Sequence, residues 1–386
     1  MDTDKNSIAY HCGQDLQSPT IDEIAGQAYN DDLDSLLESY DYEIPKELIA
    51  QKPADKRDES KLFVIDKTTR KFEHKKFNDI TDYFKEGEVL VINDTKVIPS
   101  RLFGKKPTGA KVELLFLEPH KQNQEYKVLM KPFIGIDKKA VFEDGYECIV
   151  KSKNEKGEVF VEFNKPTVST LLQKSGLMPL PPYINRKDNL ALEFSALDRE
   201  RYQTIYARNF GAIAAPTAGL HFTQNILDKL QDKGVKIAKL SLHVGWGTFK
   251  PIISKKINNH QMLSERFSID EKNADIINEA IRRGQKITSV GTTTTRALES
   301  LAKNPNFNQD GQIYIKQFSG ETSIFIYPSH NFRIINKLIT NLHLPKSTPL
   351  MMASAFAGRG LILEAYKEAV KEKYRFFSYG DSMLIL

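Results

Sequence analysis

Short apolar runs punctuated by glycine, proline and paired polar residues organise this chain, and their period changes twice along it. Residues 42–50 read as a short helix opened by Pro45, 61–66 as a strand ending in the Lys67-Thr68-Thr69-Arg70 turn, and 79–85 as a helix before Gly87. Val89-Leu90-Val91-Ile92 is a continuous apolar run of the length of a buried strand. Between 101 and 163 the pattern becomes short strands at 111–117, 126–131, 146–151 and 158–163, separated by turn residues, which predicts a small β-barrel. Helical periods then return. Thr223 caps a helix carrying Ile226, Leu227 and Leu230 that Gly234 stops, and residues 235–244 follow as a strand. A helix runs from the Asp270 cap to Gly284, a strand spans 286–290, and helices cover 296–302, 346–357 and 360–374. The pattern predicts a mixed α/β main domain over 40–100 and 165–386, interrupted by an inserted β-barrel domain at 101–164.

The 386 residues carry a net charge of +5, with 40% hydrophobic and 27% charged residues, the balance of an ordinary folded protein. No run approaches the length of a membrane-spanning helix and the first residues lack a secretory pattern, so the expected location is cytoplasmic, with no membrane partner. Cys12 and Cys148 lie far apart without ligand spacing, which points to two reduced thiols, with neither a disulfide nor a metal site. Charge is uneven. Nine acids against Lys5 alone fall in residues 1–40, so 1–39 is expected as an acidic extension outside the fold, with a short helix near 31–39. The rest is correspondingly more basic, with pairs such as Lys105-Lys106 and Lys138-Lys139; that suits a polyanion such as RNA, and a solvated basic surface gives the same letters.

Two segments place a histidine among glycines, hydroxyls and apolar residues: Ala215-Pro216-Thr217-Ala218-Gly219-Leu220-His221-Phe222 and His243-Val244-Gly245-Trp246-Gly247. Small residues admit a ligand close to backbone and the imidazole titrates near neutrality, so both read as parts of a binding site. Asn93-Asp94-Thr95-Lys96 follows a buried strand directly, where sheet proteins expose functional groups, although an Asx turn has the same letters. Gly291-Thr292-Thr293-Thr294-Thr295-Arg296 joins a strand to a helix and suits a phosphate, carboxylate or ribose hydroxyl; a threonine-capped helix start is the plainer reading. Glu265 is either an acid or base or the partner of Arg266 or Lys256, and His343 sits between apolar neighbours in the manner of a core histidine. Gly-x-Gly-x-x-Gly after the first strand, the P-loop, His-Glu-x-x-His and Gly-x-Ser-x-Gly do not occur, so dinucleotide redox, P-loop, zinc-protease and serine-hydrolase chemistries lose support.

Taken together with Tyr42 to Ala50, Met178-Pro179-Leu180-Pro181-Pro182-Tyr183, Arg201-Tyr202-Gln203-Thr204, Asn341-Leu342-His343-Leu344-Pro345 and Phe377-Ser378-Tyr379-Gly380-Asp381, these segments resemble the S-adenosylmethionine:tRNA ribosyltransferase-isomerase (QueA) family of queuosine biosynthesis, from about residue 40 to the C-terminus. The resemblance implies transfer and isomerisation of the ribosyl part of S-adenosylmethionine onto 7-aminomethyl-7-deazaguanine in the wobble position of a tRNA, giving epoxyqueuosine, adenine and methionine. It implies no cofactor, because the donor is consumed as a substrate, and a monomer or weak oligomer. His221 or Glu265 is then the expected base and His243 or Asp94 the contact to adenine. Asn93, Lys96, Arg101, Tyr202, Thr217, Gly219, Gly291, Thr292, Thr293, Arg296 and His343 are the expected substrate contacts, Arg296 and Thr292 holding the methionine carboxylate or ribose. The chain departs from the family at Leu263, where the usual His-x-Met-His-x-Glu has its second histidine. A non-catalytic tRNA-binding protein of the same fold is the alternative that this departure suggests.

Overall fold

In the computed structural model, residues 33–118, 125–186, 190–249, 252–309 and 312–386 are described; Cys12 and most of the acidic segment fall outside them. A nine-stranded sheet runs in the order Phe318–Thr322, Glu265–Ile269, Lys236–Leu242, Val89–Asn93, Ile287–Val290, Lys337–Asn341, Ser382–Ile385, Lys61–Asp66, Lys71–Lys76. The four strands from Lys236–Leu242 to Lys337–Asn341 are parallel, and antiparallel strands flank them on both sides. Strands covered on both faces are buried at every position, as Val89–Asn93, Ile287–Val290 and Lys337–Asn341 are, the polar Thr288, Ser289, Lys337 and Thr340 included. Alternation still sorts their side chains: Val89 and Val91 join one core with Ala297, Leu298 and Leu338, while Leu90 and Ile92 join another with Ile226, Leu227 and Phe77.

The covering helices begin where the caps predict. Thr223 Oγ1 accepts from the Ile226 N–H ahead of Gln224–Asp232, and Asp270 accepts from the Asn273 N–H ahead of Glu271–Arg282. A further helix, Thr292–Lys303, starts four residues earlier than the 296–302 expected, so the threonines form its first turn. Two other expectations are corrected. Residues 42–50 hold only a single 3₁₀ turn, Lys46–Leu48, and 79–85 is a 3₁₀ helix, Phe77–Tyr83; both are too short to propagate as α-helices and are held by packing. Residues 33–39, expected outside the fold, pack on it. Leu37 and Tyr40 are buried, the Leu37 N–H donates to the Lys255 carbonyl, and Glu38 and Asp41 pair with Lys346.

The barrel between Arg101 and Phe163 is closed and six-stranded. Its core holds the inward residues of alternating strands, among them Val112, Leu114, Phe116, Val128, Val150 and Val161. Two of its strands, Arg101–Lys105 and Lys139–Val141, escape the sequence pattern because each turns one apolar side chain fully inward, Leu102 and Ala140.

Because the four central strands are parallel, their carboxyl ends share one edge of the sheet. Asn93-Asp94, Leu242-His243, Val290-Gly291 and Asn341-Leu342-His343 meet there, and the start of the antiparallel strand Ser382–Ile385 lies opposite Asn341.

Candidate functional site

At the first two strand ends, side chains lock neighbouring backbones together. Asn93 donates from Nδ2 to the Leu242 carbonyl at 3.0 Å and accepts from the N–H groups of Thr95 and Leu242, so its amide is spent joining strands. Asp94 is buried and accepts from Ser241 Oγ and from Asn209 Nδ2. Thr95 Oγ1 lies 2.9 Å from His243 Nδ1 and 3.4 Å from the Asn209 carbonyl. A hydroxyl that donates to that carbonyl can accept from an Nδ1–H of the imidazole, and the contact orients the ring. Gly211 is required here, since a Cβ would fall 2.5 Å from His243 Nδ1.

His243 lines a cleft of about 320 Å³ between the sheet edge and the barrel, together with Glu265, Leu263 and, from the barrel, Lys127, Lys156 and Glu158. Glu265 stands beside it because the His243 N–H pairs with the Arg266 carbonyl on the adjacent antiparallel strand. Its carboxylate accepts from the Gly245 N–H at 3.0 Å and from Arg296 Nη1. Both charged side chains are buried, and the guanidinium donates also to the Ile324 carbonyl at 3.0 Å. Glu265 thus pairs with Arg296, and Arg296 is committed to protein groups. Leu263 packs on the backbone of Gly247, where a Cβ would come within 2.6 Å of its Cδ1; an apolar side chain therefore forms the wall where the family pattern has a histidine.

His221 is placed differently. Only 5% exposed, it packs at a tilt against Phe77 and has both ring nitrogens engaged, Nδ1 with Ser60 Oγ at 2.7 Å and Nε2 with Asn341 Nδ2 at 3.2 Å. Burial pushes its pKa down to about 4, with Arg375, Arg57 and Arg201 acting in the same direction and Asp381 against them. Asn341 in turn accepts from Thr217 Oγ1 at 2.9 Å, so the ring orients a hydroxyl at the sheet edge. His343 is likewise occupied: Nε2 meets Thr340 Oγ1 at 2.7 Å, its N–H donates to Tyr366 Oη, its carbonyl accepts from Tyr42, and burial lowers its pKa to about 3.

A second, smaller pocket of about 100 Å³ lies over the other two strand ends, with Tyr202, Thr217, Gly291, Thr292, Thr293, His343 and Phe377 around it. Val244 lines this pocket and the cleft alike, so the two are neighbours. Gly291, with φ +89°, turns the chain into the helix Thr292–Lys303, whose first N–H groups are the unsatisfied ones of any helix start. Thr293 Oγ1 is buried at this rim without a protein partner, whereas Thr294 and Thr295 donate back to Val290 and Gly291.

The structure thus brings His243, Glu265 and the 291–293 turn to adjoining cavities. It takes Gly219 to a packing position, where a Cβ would meet Tyr206 Oη at 2.1 Å, and Arg101 to an ion pair with Glu113 in the barrel. Lys96 lies over the Phe210 ring, 4.6 Å from its centroid. Sequence reasoning missed Ser241, Asn209, Asn341 and Gly211, whose roles come from parallel pairing across long separations. Among the described residues no cluster of three or more His, Cys, Asp or Glu can hold a metal, and no helix is long and apolar enough to cross a membrane.

Residues 37–385 match the model of a family described as queuosine biosynthesis protein. A relative from Halothermothrix orenii, named S-adenosylmethionine:tRNA ribosyltransferase-isomerase, is 45% identical over 91% of this chain and 99% of its own length. One from Staphylococcus haemolyticus with the same name is 44% identical over the same shares. The crystal structure of S-adenosylmethionine tRNA ribosyltransferase from Thermotoga maritima is similar with a TM-score of 0.51 and 33% identity, covering 90% of this chain and all of that one.

Proposed function

Because the chain belongs to the queuosine biosynthesis protein family, we propose that it transfers and isomerises the ribosyl part of S-adenosylmethionine onto 7-aminomethyl-7-deazaguanine in tRNA, releasing adenine and methionine and leaving epoxyqueuosine. The observation that carries this reading is the adjacency of two unlike cavities: an open cleft with an imidazole and a carboxylate in its wall, and a small pocket at a helix start, sharing Val244. The pocket suits the amino-acid end of the donor. Helix N–H groups and the Thr293 hydroxyl offer donors to a carboxylate, and Phe377 and Tyr183 offer ring faces to a sulfonium. The cleft suits the RNA base, since it opens toward the lysines of the barrel.

The sulfonium acidifies the adjoining 5′ carbon, so a base must take a proton there, and adenine leaves readily only if protonated. His243 meets both demands as a neutral base that becomes an acid once it has the proton. Thr95 orients its ring, and the Glu265 carboxylate, held by Arg296, stabilises the imidazolium across the cleft. His221, with both nitrogens committed, acts as a positioning residue for Asn341 and Thr217. No cofactor enters this scheme.

The test is incubation with S-adenosylmethionine and an anticodon stem-loop bearing 7-aminomethyl-7-deazaguanine, followed by chromatography and mass spectrometry of the products. Adenine together with an epoxyqueuosine mass is the expected outcome. Bound RNA without adenine would instead support the non-catalytic binder that Leu263 in the cleft wall suggests.

A further inference from the structure

The short strand Thr95–Val97 pairs in parallel with Asn209–Ala212, and the two strands divide their side chains by face. Thr95 and Asn209 turn inward, one to His243 and the other to Asp94 and Ser241. Lys96 and Phe210, directly opposite each other in the register, turn outward. Phe210 is 56% exposed, the most exposed phenylalanine among the described residues, and belongs to none of the hydrophobic cores. Its neighbour in the fold is the Lys96 ammonium over its ring. The next residue, Gly211, already lines the cleft against His243.

Leaving so much aromatic surface in water forgoes burial worth roughly 1.5–3 kcal/mol for such a side chain, and among the described residues the ring joins no apolar core and meets the Lys96 ammonium instead. An exposed ring paired with a cation, one residue from a cleft that receives a base, has the composition of a single-strand nucleic-acid platform: the ring stacks on a base while the ammonium meets a phosphate. We propose that Phe210, with Lys96 beside it, stacks the loop nucleobase that flanks the nucleotide entering the His243 cleft. The inference rests on the reading of that cleft as the RNA base site. It commits to a single-stranded RNA loop as occupant on two grounds: continuity with the cleft, and the basic charge beside the ring.

The test is a coupling experiment on binding, so it does not depend on turnover. Affinities of the full chain and of Phe210→Ala and Phe210→Tyr are measured for the anticodon stem-loop and for the same loop with an abasic flanking nucleotide. The abasic substitution is made on each side of the modified position in turn. Phe210→Ala is expected to weaken binding of the intact loop by about 10-fold or more and Phe210→Tyr by less than about 3-fold. Against one of the two abasic loops, Phe210→Ala is expected to lose nothing further, because the base it would stack is already gone. A 2-aminopurine at that flank is expected to lose its binding-induced fluorescence change in Phe210→Ala, while the KM for S-adenosylmethionine stays put. Lys96→Met is expected to lower the salt slope of binding by about one. Equal affinity of wild type and Phe210→Ala, or an equal loss against the intact loop and both abasic loops, would overturn the platform. Absence of adenine release by wild type with this coupling intact would instead overturn the catalytic reading and leave the platform standing.

Discussion

His221 and His243 arise from segments of almost the same composition, yet the fold gives them opposite situations. His221 lies against the strand end of Lys337–Asn341, packed at a tilt on Phe77, with Ser60 and Asn341 on its two nitrogens. His243 ends the strand Lys236–Leu242 at the wall of a 320 Å³ cleft, with Thr95 on one nitrogen and Gly211 pressed to its ring. Glycine and hydroxyl neighbours therefore do not mark a catalytic histidine. What separates the two is that His221 is enclosed, with a side chain of the fold on each ring nitrogen, whereas His243 lines a cleft that a substrate can enter.

The sharpest break in that comparison is removal of each ring. His243→Ala is expected to cut turnover by about 1000-fold, the range of a general acid–base group, with a melting temperature near wild type. His221→Asn is expected to keep turnover per folded molecule within a few-fold while lowering the melting temperature. Steady-state assays beside calorimetry check both, and a catalytic collapse in His221→Asn alone would reverse the assignment.

Arg296→Met leaves the buried Glu265 carboxylate without its cation, which costs about 3–5 kcal/mol; Arg296→Met with Glu265→Gln is expected to recover much of it. Urea unfolding of both variants measures the difference. The acid limb separates the histidines next. His221 has a folded pKa near 4 against about 6.5 in the unfolded chain, so the unfolded state binds the extra proton. The stability it contributes is therefore present above about pH 6.5 and is lost as pH falls toward 4, on the order of 3 kcal/mol at most. His343, lowered to about 3, acts in the same direction. The slope of unfolding free energy between pH 7 and 4.5 is expected to be flatter in His221→Asn than in wild type. The smallest effect expected is at Thr293→Val, which removes one hydroxyl at the pocket rim: a KM for S-adenosylmethionine raised about 5-fold at near-constant kcat, as the loss of one hydrogen bond implies.

Much of the fold is legible along the chain. Val89 to Ile92 can only be a buried strand, and Thr223, Asp270 and the flanking glycines fix their helices within a residue or two. Strands Arg101–Lys105 and Lys139–Val141 are not legible, since closing a barrel asks of them one inward side chain each and little local pattern. The site divides the same way. His243, Asp94 and the Gly291-Thr292-Thr293 turn stand out as strand-end chemistry, whereas Arg296 reads as a ligand donor and proves to be the buried partner of Glu265.

The sequence by itself determined most of the elements, the helix caps, the family to which the chain belongs and which residue types are present to do chemistry, because these are written along the chain itself. Only the tertiary structure decided which histidine is enclosed and which lines a cleft, which carboxylate is paired, and that Phe210 stays exposed beside the site. Those outcomes depend on partners such as Ser60 with His221 and Thr95 with His243, more than a hundred residues apart, which only the packed fold brings together, the second pair through parallel pairing in the sheet.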